Sequence, residues 1–246
     1  MTSSVTVVIA TRDRPEMMRE ALASVLEQDY AGPVEVILVF DQAEPELDLA
    51  TEADPLRRVV VTTNGRSPGL AGARNTGITA SQSDYVAFLD DDVEAEPGWL
   101  AGVWDYFTRH DCVAAQGSVL WPPEAMADKE LYALLDRYRT IVHLDLAPDT
   151  VRTKLTGANM AVRRHAFNVV GVFNEKLGPG AAGLSEDNEL ADRIRRAGGW
   201  IGYMKDARVV HEIDRSRLTE KYGKELEEMK AEYAKMGLAR REKTDA

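Results

Sequence analysis

The alternation of short apolar runs with helix-forming segments narrows the fold of this chain more than any other feature. Apolar runs of strand length occupy residues 5–10 (VTVVIA), 34–40 (VEVILVF), 58–62 (RVVVT) and 85–89 (YVAFL). Pro15 opens a helix after the first run, and the segment PGLAGARNTGITAS predicts another helix before the last. Strands that alternate with helices form a mainly parallel sheet. The sequence therefore predicts an α/β protein with a Rossmann-like, mainly parallel mixed sheet flanked by helices.

Polar residues follow three of these predicted strands, at the points where the strands end. The segments are Thr11-Arg12-Asp13, Asp41-Gln42 and Asp90-Asp91-Asp92. In open sheets of this class, ligands bind beyond the carboxyl ends of the strands, so we expect these groups to share one edge. Asp41 ends an apolar run, where its carboxylate would need an N–H donor such as a nucleobase imide. Ordinary loop chemistry is the alternative for Thr11, Arg12 and Asp41.

The three consecutive carboxylates need solvent or a compensating cation, because neighbouring like charges repel each other. Alternate residues of an extended segment point the same way, so Asp90 and Asp92 are expected to face one site while Asp91 turns away. Oxygen ligands of this kind suit Mg²⁺ or Mn²⁺, with a phosphate completing the shell. A solvated acidic turn is the alternative.

Further candidate residues come from elsewhere in the chain. Glu186 and Asp187 open a predicted helix (SEDNELADRIRRAGG) after a Gly-rich loop (KLGPGAAG), which could be a lid that delivers a carboxylate to a substrate hydroxyl. The alternative is that they only complement the helix dipole. His211 ends the predicted strand ARVVHE and is either a packed residue or a transition-metal ligand. Arg66 and Arg74 either neutralise a diphosphate or are solvated.

The charge balance limits the partners of the chain. A formal net charge of −11 over 246 residues argues against nucleic acid, because phosphate-backbone binders need clustered Lys and Arg. The absence of an apolar run near the roughly 20 residues that span a bilayer, together with a lone cysteine, Cys112, favours a cytoplasmic protein. Residues 1–214 are expected to form one domain. Residues 215–246 are predicted to be a charged helical extension, either frayed or used for docking in a homo-oligomer.

Several segments together resemble family 2 glycosyltransferases of the GT-A fold, over roughly residues 5–213. They are VTVVIATRDRPEMMREALASVLEQ, GLAGARNTGITASQSDYVAFLDDDVEAEPGWL, LTGANMAVRRHAF, GLSEDNELADRIRRAGG and ARVVHE. The resemblance implies a metal-dependent, inverting transfer of one sugar from a nucleoside-diphosphate sugar, with UDP as the expected nucleotide. The acceptor would be a hydroxyl of a glycan, a lipid-linked molecule or a small molecule. The Gln-x-x-Arg-Trp motif of processive synthases is missing, which favours the non-processive type.

The resemblance also implies roles for individual residues at the donor. Thr11 and Asp41 would hold the nucleotide base and Asp90 the ribose, while Asp92 would bind Mn²⁺ or Mg²⁺ with His211 as a candidate second ligand. Where the family often has Asp-Asp-Gly-Ser, this chain has FDQA at residues 40–43, which leaves base recognition to Asp41.

The remaining implied roles concern the sugar and the acceptor. Asp187 would be the catalytic base, with Glu186 orienting the acceptor, and the segment from Gly157 to Asn159 would line the donor-sugar pocket. Arg12, Arg66, Arg74 and Asp91 are counted with the donor-binding residues.

Two alternative functions remain open from the sequence. A haloacid-dehalogenase-like phosphatase would use Asp90 and Asp92 after an apolar strand, although that family usually carries this motif on its first strand. A non-catalytic nucleotide-sugar-binding protein could have the same fold, although the presence of Asp187 counts against it.

Overall fold

The computed structural model describes residues 4–45, 56–181 and 185–235 of the chain, and these form one mixed sheet flanked by helices. The strands are β1 (Val5–Thr11), β2 (Val34–Phe40), β3 (Arg57–Thr63), β4 (Tyr85–Asp90), β5 (Val93–Ala95), β6 (Ala114–Leu120), β7 (Asn159–Arg163) and β8 (Ile201–His211). The helices are α1 (Pro15–Leu26), α2 (Leu70–Ala80), α3 (Trp99–Arg109), α4 (Pro123–Ala127), α5 (Lys129–Tyr138), α6 (Ala166–Val170), α7 (Glu186–Arg196) and α8 (Glu220–Lys235). A short 3-10 turn, Arg215–Arg217, precedes α8.

The sheet confirms the predicted mainly parallel, mixed architecture. Its strand order is β3-β2-β1-β4-β7-β6-β8-β5. The first four strands in this order run parallel, whereas β7 is antiparallel to β4 and β6, and β5 is antiparallel to β8. Thr11 pairs with Phe40, and Ala10 pairs with Asp90. The carboxyl ends of β1, β2 and β4 therefore meet at one edge, as the sequence predicts.

Helices cover both faces because the strands are apolar on both sides. Val7 and Ile9 of β1 belong to the core under α1 and α3, while Val8 and Ala10 belong to the core under α2 and α7. Helix α2 packs very closely, since a Cβ atom on Gly77 would lie 2.4 Å from Cγ1 of Val8. A glycine at this position is what allows the helix to approach the strand.

The sequence also predicts strands over residues 112–121 and around 159–162, and the structure has β6 and β7 there. The structure adds two strand segments beyond the predicted ones. Strand β8 begins at Ile201 rather than near Ala207, because Ile201 and Tyr203 are buried against the sheet. The short strand β5 pairs Val93 with His211. Three residues are too few for a recognisable pattern, so only the pairing with β8 identifies β5.

The chain beyond residue 214 continues along the body of the protein. Leu218 is buried in a small cluster with residues of α4 and α5, and the Thr140 hydroxyl donates to the carbonyl of Arg217 at 2.9 Å. Docking in a homo-oligomer through this segment stays a prediction. Among the helices of the described residues, none has the length and apolar character that a membrane crossing requires.

Candidate active site

The acidic triplet at the end of β4 divides between two basic clusters. Asp90 accepts a hydrogen bond from Nη2 of Arg74 at 2.7 Å, whereas Asp91 and Asp92 both accept from Nη1 of Arg14 at 3.0 Å. The prediction that Asp90 and Asp92 face one site, with Asp91 turned away, is therefore wrong. Its premise was an extended backbone, but β4 ends at Asp90 and the next two residues form a turn.

The first cluster surrounds the buried guanidinium of Arg74. Its side chain is 2% exposed, and Nη1 donates to Oε1 of Glu186 at 2.6 Å. Burial opposes the charge of Arg74, but Asp90 and Glu186 outweigh burial and raise its pKa. A Cβ atom on Gly157 would lie 1.9 Å from Nη2 of Arg74, so the guanidinium occupies space that a side chain would fill. The solvated alternative for Arg74 is wrong, because both ends of the guanidinium already bind carboxylates.

Asp187 lies beside this cluster in the first turn of α7. It is half-buried and accepts hydrogen bonds from the amide of Gly157 at 3.1 Å and from the amide of Asn188 at 2.6 Å. Burial and the neighbouring Glu186 raise the pKa of Asp187 to about 7, and Arg74 opposes the shift. A carboxylate with this pKa is well suited to take a proton near neutral pH. Ser185, the residue before the helix, has a φ of 82° and makes no side-chain cap.

A cavity of about 710 Å³ opens over Asp187. Asp90, Arg74, Glu186 and Gly157 also line it, and Leu226 reaches it from α8. The rest of the lining comes largely from the segment around α4 and α5, including Trp121, Met126, Tyr132, Asp136, Arg139, Thr140, Ile141, Val142 and His143. The cavity thus combines carboxylates on one part of its lining with an aromatic and apolar part on another.

The aromatic part is built around Trp121. The ring of Tyr132 packs edge-on against it at 6.1 Å between centroids, and the ring of His143 lies 4.7 Å away. Burial lowers the pKa of His143, while Asp145 opposes this shift. His143 is therefore a neutral part of this aromatic surface near pH 7. Sequence patterns alone do not distinguish such a surface from ordinary core packing.

The second cluster surrounds Asp92. Its Oδ2 atom lies 3.0 Å from Nη1 of Arg14 and 3.4 Å from Nη2 of Arg217, and its Oδ1 atom lies 3.8 Å from Nε2 of His211. Asp91 also accepts a hydrogen bond from the hydroxyl of Thr11 at 2.8 Å. Burial raises the pKa of Asp91, against the opposing effects of Thr11 and Arg14.

Asp92 and His211 fit a divalent metal as a two-ligand site. Antiparallel pairing of β5 with β8 places them side by side, and Nδ1 of His211 lies 2.8 Å from the carbonyl of Glu212. That contact leaves Nε2 towards the carboxylate, and a mixed oxygen and nitrogen donor pair suits Mn²⁺. Within the described parts of the chain, no group of three or more His, Cys, Asp or Glu side chains is gathered to hold a metal. The substrate would have to supply the remaining ligands.

The residues predicted to bind the nucleotide have different surroundings. Asp41 is buried and accepts from Nδ2 of Asn64 at 2.7 Å and from the amide of Gly69 at 3.0 Å. Arg12 is exposed beside Asp13. Arg66 forms an ion pair with Glu175 at 3.0 Å, so part of its charge is already balanced.

Asn159 does not line the donor pocket as predicted. Its side chain is fully buried at the start of β7, where Oδ1 accepts from Nε1 of Trp99 at 2.9 Å. Its Nδ2 atom donates to the carbonyls of Ser118 and Ala207. This prediction is wrong, because the amide is used entirely by partners in α3, β6 and β8. Gly157, by contrast, does line the cavity.

Arg14 and Arg217 are functional candidates that the sequence analysis does not identify. Arg14 lies between β1 and α1, and Arg217 lies after β8, so both reach the carboxyl edge from outside the strands. The three adjacent carboxylates of the triplet indicate that a cation lies nearby, but they do not identify the residue that supplies it. The predicted lid loop covers residues 176–183, and its last two residues lie outside the described residues.

The comparisons with known proteins agree with one another. Residues 6–171 match the profile of Glycosyl transferase family 2. A relative from Haloferax volcanii, glucosyl-dolichyl phosphate glucuronosyltransferase, is 30% identical over 226 residues, which cover 87% of this chain and 70% of the relative. This is a similarity over nearly the whole of the present chain.

Solved structures share the fold. GalNAc-T7 with UDP, GalNAc and Mn²⁺ superimposes with a TM-score of 0.61 at 17% identity, covering 85% of this chain. The mannosyltransferase PcManGT from Pyrobaculum calidifontis with GDP-Man and Mn²⁺ superimposes with a TM-score of 0.60 at 21% identity, covering 86%. The present chain spans 44% and 57% of these two proteins. The chain therefore belongs to Glycosyl transferase family 2, has the GT-A fold, and is a glycosyltransferase that transfers a sugar from a nucleotide sugar.

Proposed function

We propose that the protein transfers a single sugar from a UDP-sugar to an acceptor hydroxyl with inversion at the anomeric carbon, with Asp187 as the general base. The observation that carries the proposal is the position of Asp187. It lies in the wall of the large cavity, is held by the amide of Gly157, and has a pKa raised to about 7 by burial and by Glu186. A base in this state can accept a proton from a hydroxyl bound in the cavity.

The reaction is a single displacement. The acceptor hydroxyl gives its proton to the carboxylate of Asp187 while its oxygen attacks the anomeric carbon. The bond between that carbon and the diphosphate oxygen breaks, and the electron pair leaves with the nucleoside diphosphate. The amides of Gly157 and Asn188 hold the carboxylate in one orientation, which limits the reorganisation needed in the transition state.

A divalent cation, Mn²⁺ or Mg²⁺, fits this scheme at Asp92 and His211. When bound there, it would supply positive charge to the departing diphosphate. Two proteins of the same fold were solved with Mn²⁺, which supports a metal requirement for this chain. At the other end of the donor, Asp90 is assigned to the ribose and Asp41 with Thr11 to the base.

The acceptor in this proposal is a lipid-linked sugar. Two of the large apolar side chains that the described surface exposes, Met126 and Tyr132, line the cavity, where they could contact a lipid or another apolar group. The name of the Haloferax volcanii relative also specifies a dolichyl phosphate compound. Family membership removes the phosphatase and the non-catalytic binding protein as alternatives.

The donor can be identified by thermal shift and the base by mutation. We expect UDP with Mn²⁺ to raise the melting temperature by mass action and GDP to raise it less. Asp187→Asn is expected to retain UDP binding and to lower kcat by on the order of 10²-fold or more, because the amide keeps the shape of the carboxylate without its basicity.

The matched control for this mutation is Asp192→Asn in the same helix. Asp192 pairs only with Arg195 and Arg196 at 3.5 and 3.7 Å among the ion pairs of the described residues, and it does not line the large cavity. It should have near-normal turnover. Near-normal turnover of Asp187→Asn would instead remove Asp187 from the role of base.

A further inference from the structure

We propose that Arg14 and Arg217 are built-in counter-cations of Asp92, that a divalent metal displaces them, and that they then bind the diphosphate of the donor. Metal binding and nucleotide binding would therefore strengthen each other. The proposal deepens the function proposed above and rests on it for the identity of the diphosphate. Its first half, the competition between arginine and metal, concerns the protein and the metal alone.

The contacts around Asp92 carry the first half of the argument. Nη1 of Arg14 and Nη2 of Arg217 lie 3.0 and 3.4 Å from the same carboxylate oxygen, Oδ2. The same Arg14 nitrogen lies 3.0 Å from Oδ1 of Asp91. Two adjacent carboxylates therefore face two guanidinium groups, which supply positive charge to Asp92 without a metal. The other oxygen of Asp92, Oδ1, lies 3.8 Å from Nε2 of His211.

A metal cannot be added to this arrangement without electrostatic cost. Like charges a few ångströms apart repel each other strongly near a protein surface, and the metal carries a double charge. A divalent ion at Asp92 would be within a few ångströms of both guanidinium groups, so the arginines must withdraw or gain another anion. A nucleoside diphosphate is such an anion, because its phosphate oxygens match the paired N–H groups of arginine.

The partial exposure of the two arginine side chains allows this exchange. The side chains of Arg14 and Arg217 are 38% and 20% exposed, so their guanidinium groups can move without opening the core. The backbone of Arg217 is held beside the large cavity. Its carbonyl accepts a hydrogen bond from the hydroxyl of Thr140, a residue that lines this cavity. Its Nε atom lies 3.3 Å from Asp214, which gives the displaced side chain a second anchor.

The experiment compares Mn²⁺ binding in the wild type, Arg14→Gln and Arg217→Gln by isothermal titration calorimetry. Without nucleotide, each variant is expected to bind Mn²⁺ about 5- to 10-fold more tightly than the wild type, because a competing cation is gone. With saturating Mn²⁺, each variant is expected to bind UDP about 10-fold more weakly, because a diphosphate contact is gone. The two effects have opposite signs, which loss of folding alone cannot produce.

Two further variants serve as controls. Arg215→Gln removes the same charge from the same turn, but Arg215 is largely exposed and its ion pair is with Asp128 at 3.8 Å, so Mn²⁺ and UDP affinities should stay near wild type. Arg217→Lys retains the positive charge and should leave the Mn²⁺ affinity close to wild type. Melting temperatures of all variants report whether they fold.

Several outcomes would overturn the proposal. Unchanged or weaker Mn²⁺ binding in both Gln variants would mean that the arginines are structural ion pairs only. Full sugar transfer by the wild type in excess chelator would mean that the arginines replace the metal permanently. If neither UDP nor GDP bound to the wild type, the proposed donor would fail, while the titration with Mn²⁺ alone would still decide whether arginine and metal compete.

Discussion

The two basic clusters that share the acidic triplet differ chiefly in burial. In the first, the guanidinium of Arg74 is 2% exposed and binds Asp90 and Glu186 at 2.7 and 2.6 Å. In the second, Arg14 and Arg217 are 38% and 20% exposed and crowd around Asp92 at 3.0 and 3.4 Å. A buried, fully bonded cation keeps its partners in place, whereas a partly exposed one can exchange them. The first cluster is therefore suited to hold the start of α7 in place, and the second to exchange its partners.

The difference in burial follows from where each arginine lies in the fold. Arg74 belongs to α2, and glycines in this helix allow it to pack closely against neighbouring segments. A Cβ atom on Gly72 would lie 1.9 Å from the carbonyl oxygen of Ser67. Arg14 and Arg217 come from the connections after β1 and β8. Connections at the carboxyl edge of a sheet remain accessible to ligands, which is why sites form there.

The largest expected effect separates the two clusters by stability. Arg74→Met should lower the free energy of unfolding by about 3–5 kcal/mol, because it leaves Glu186 buried without its cation. Arg217→Met should lower it by no more than about 1 kcal/mol, since partly exposed ion pairs contribute little. Urea denaturation at pH 7 measures both. Equal losses in the two variants would contradict the distinction between a structural cluster and an exchangeable one.

A smaller effect tests the second cluster as a metal site. His211→Ala should raise the Mn²⁺ concentration for half-maximal activity by about tenfold or more, because metal ligands and their partners typically contribute this much to affinity. The requirement for Mg²⁺ should change less, since Mg²⁺ prefers oxygen ligands. His165→Ala, at an exposed position before α6, is the control. A lower melting temperature with an unchanged metal requirement would identify His211 as a packing residue instead.

The smallest expected effect concerns the pH dependence of stability at the first cluster. The pKa of Asp187 is about 7 in the folded protein, above the ordinary value of about 3.9 in the unfolded chain. The folded state therefore binds the proton more tightly, so stability falls as pH rises from about 4 to about 7 and is constant above that range. Asp187→Asn should remove this pH-dependent loss of stability, because the amide does not titrate.

We accordingly expect Asp187→Asn to be more stable than the wild type at pH 8 and equally stable at pH 4. The full shift would correspond to roughly 4 kcal/mol. Partial exposure to the cavity reduces this to on the order of 1 kcal/mol, or about 2–4 °C in melting temperature. Thermal denaturation at both pH values measures it, with Asp192→Asn as the control. A gain of the same size at pH 4 would mean that the pKa of Asp187 is not the cause.

The local elements of the fold could be predicted because their signals are local. The apolar run at residues 34–40 is identical to β2, and the ends of β1, β2 and β4 meet as the parallel alternation requires. The short strand β5 could not be predicted, because its identity comes only from pairing with β8. The resemblance places Asn159 in the donor pocket, which is wrong because its side chain bonds to three partners that lie far away in the sequence.

The sequence by itself determined that carboxylates end β4, that a carboxylate pair begins α7, and that a histidine ends β8. Strand and helix periodicity encode burial over a few residues, so these positions can be read from the chain directly. Only the tertiary structure decided how the charges pair. Asp90 binds Arg74 while Asp92 binds Arg14 and approaches Arg217, which is 125 residues away in the sequence. Charge pairing depends on which distant segments converge in space, and no local pattern contains that information.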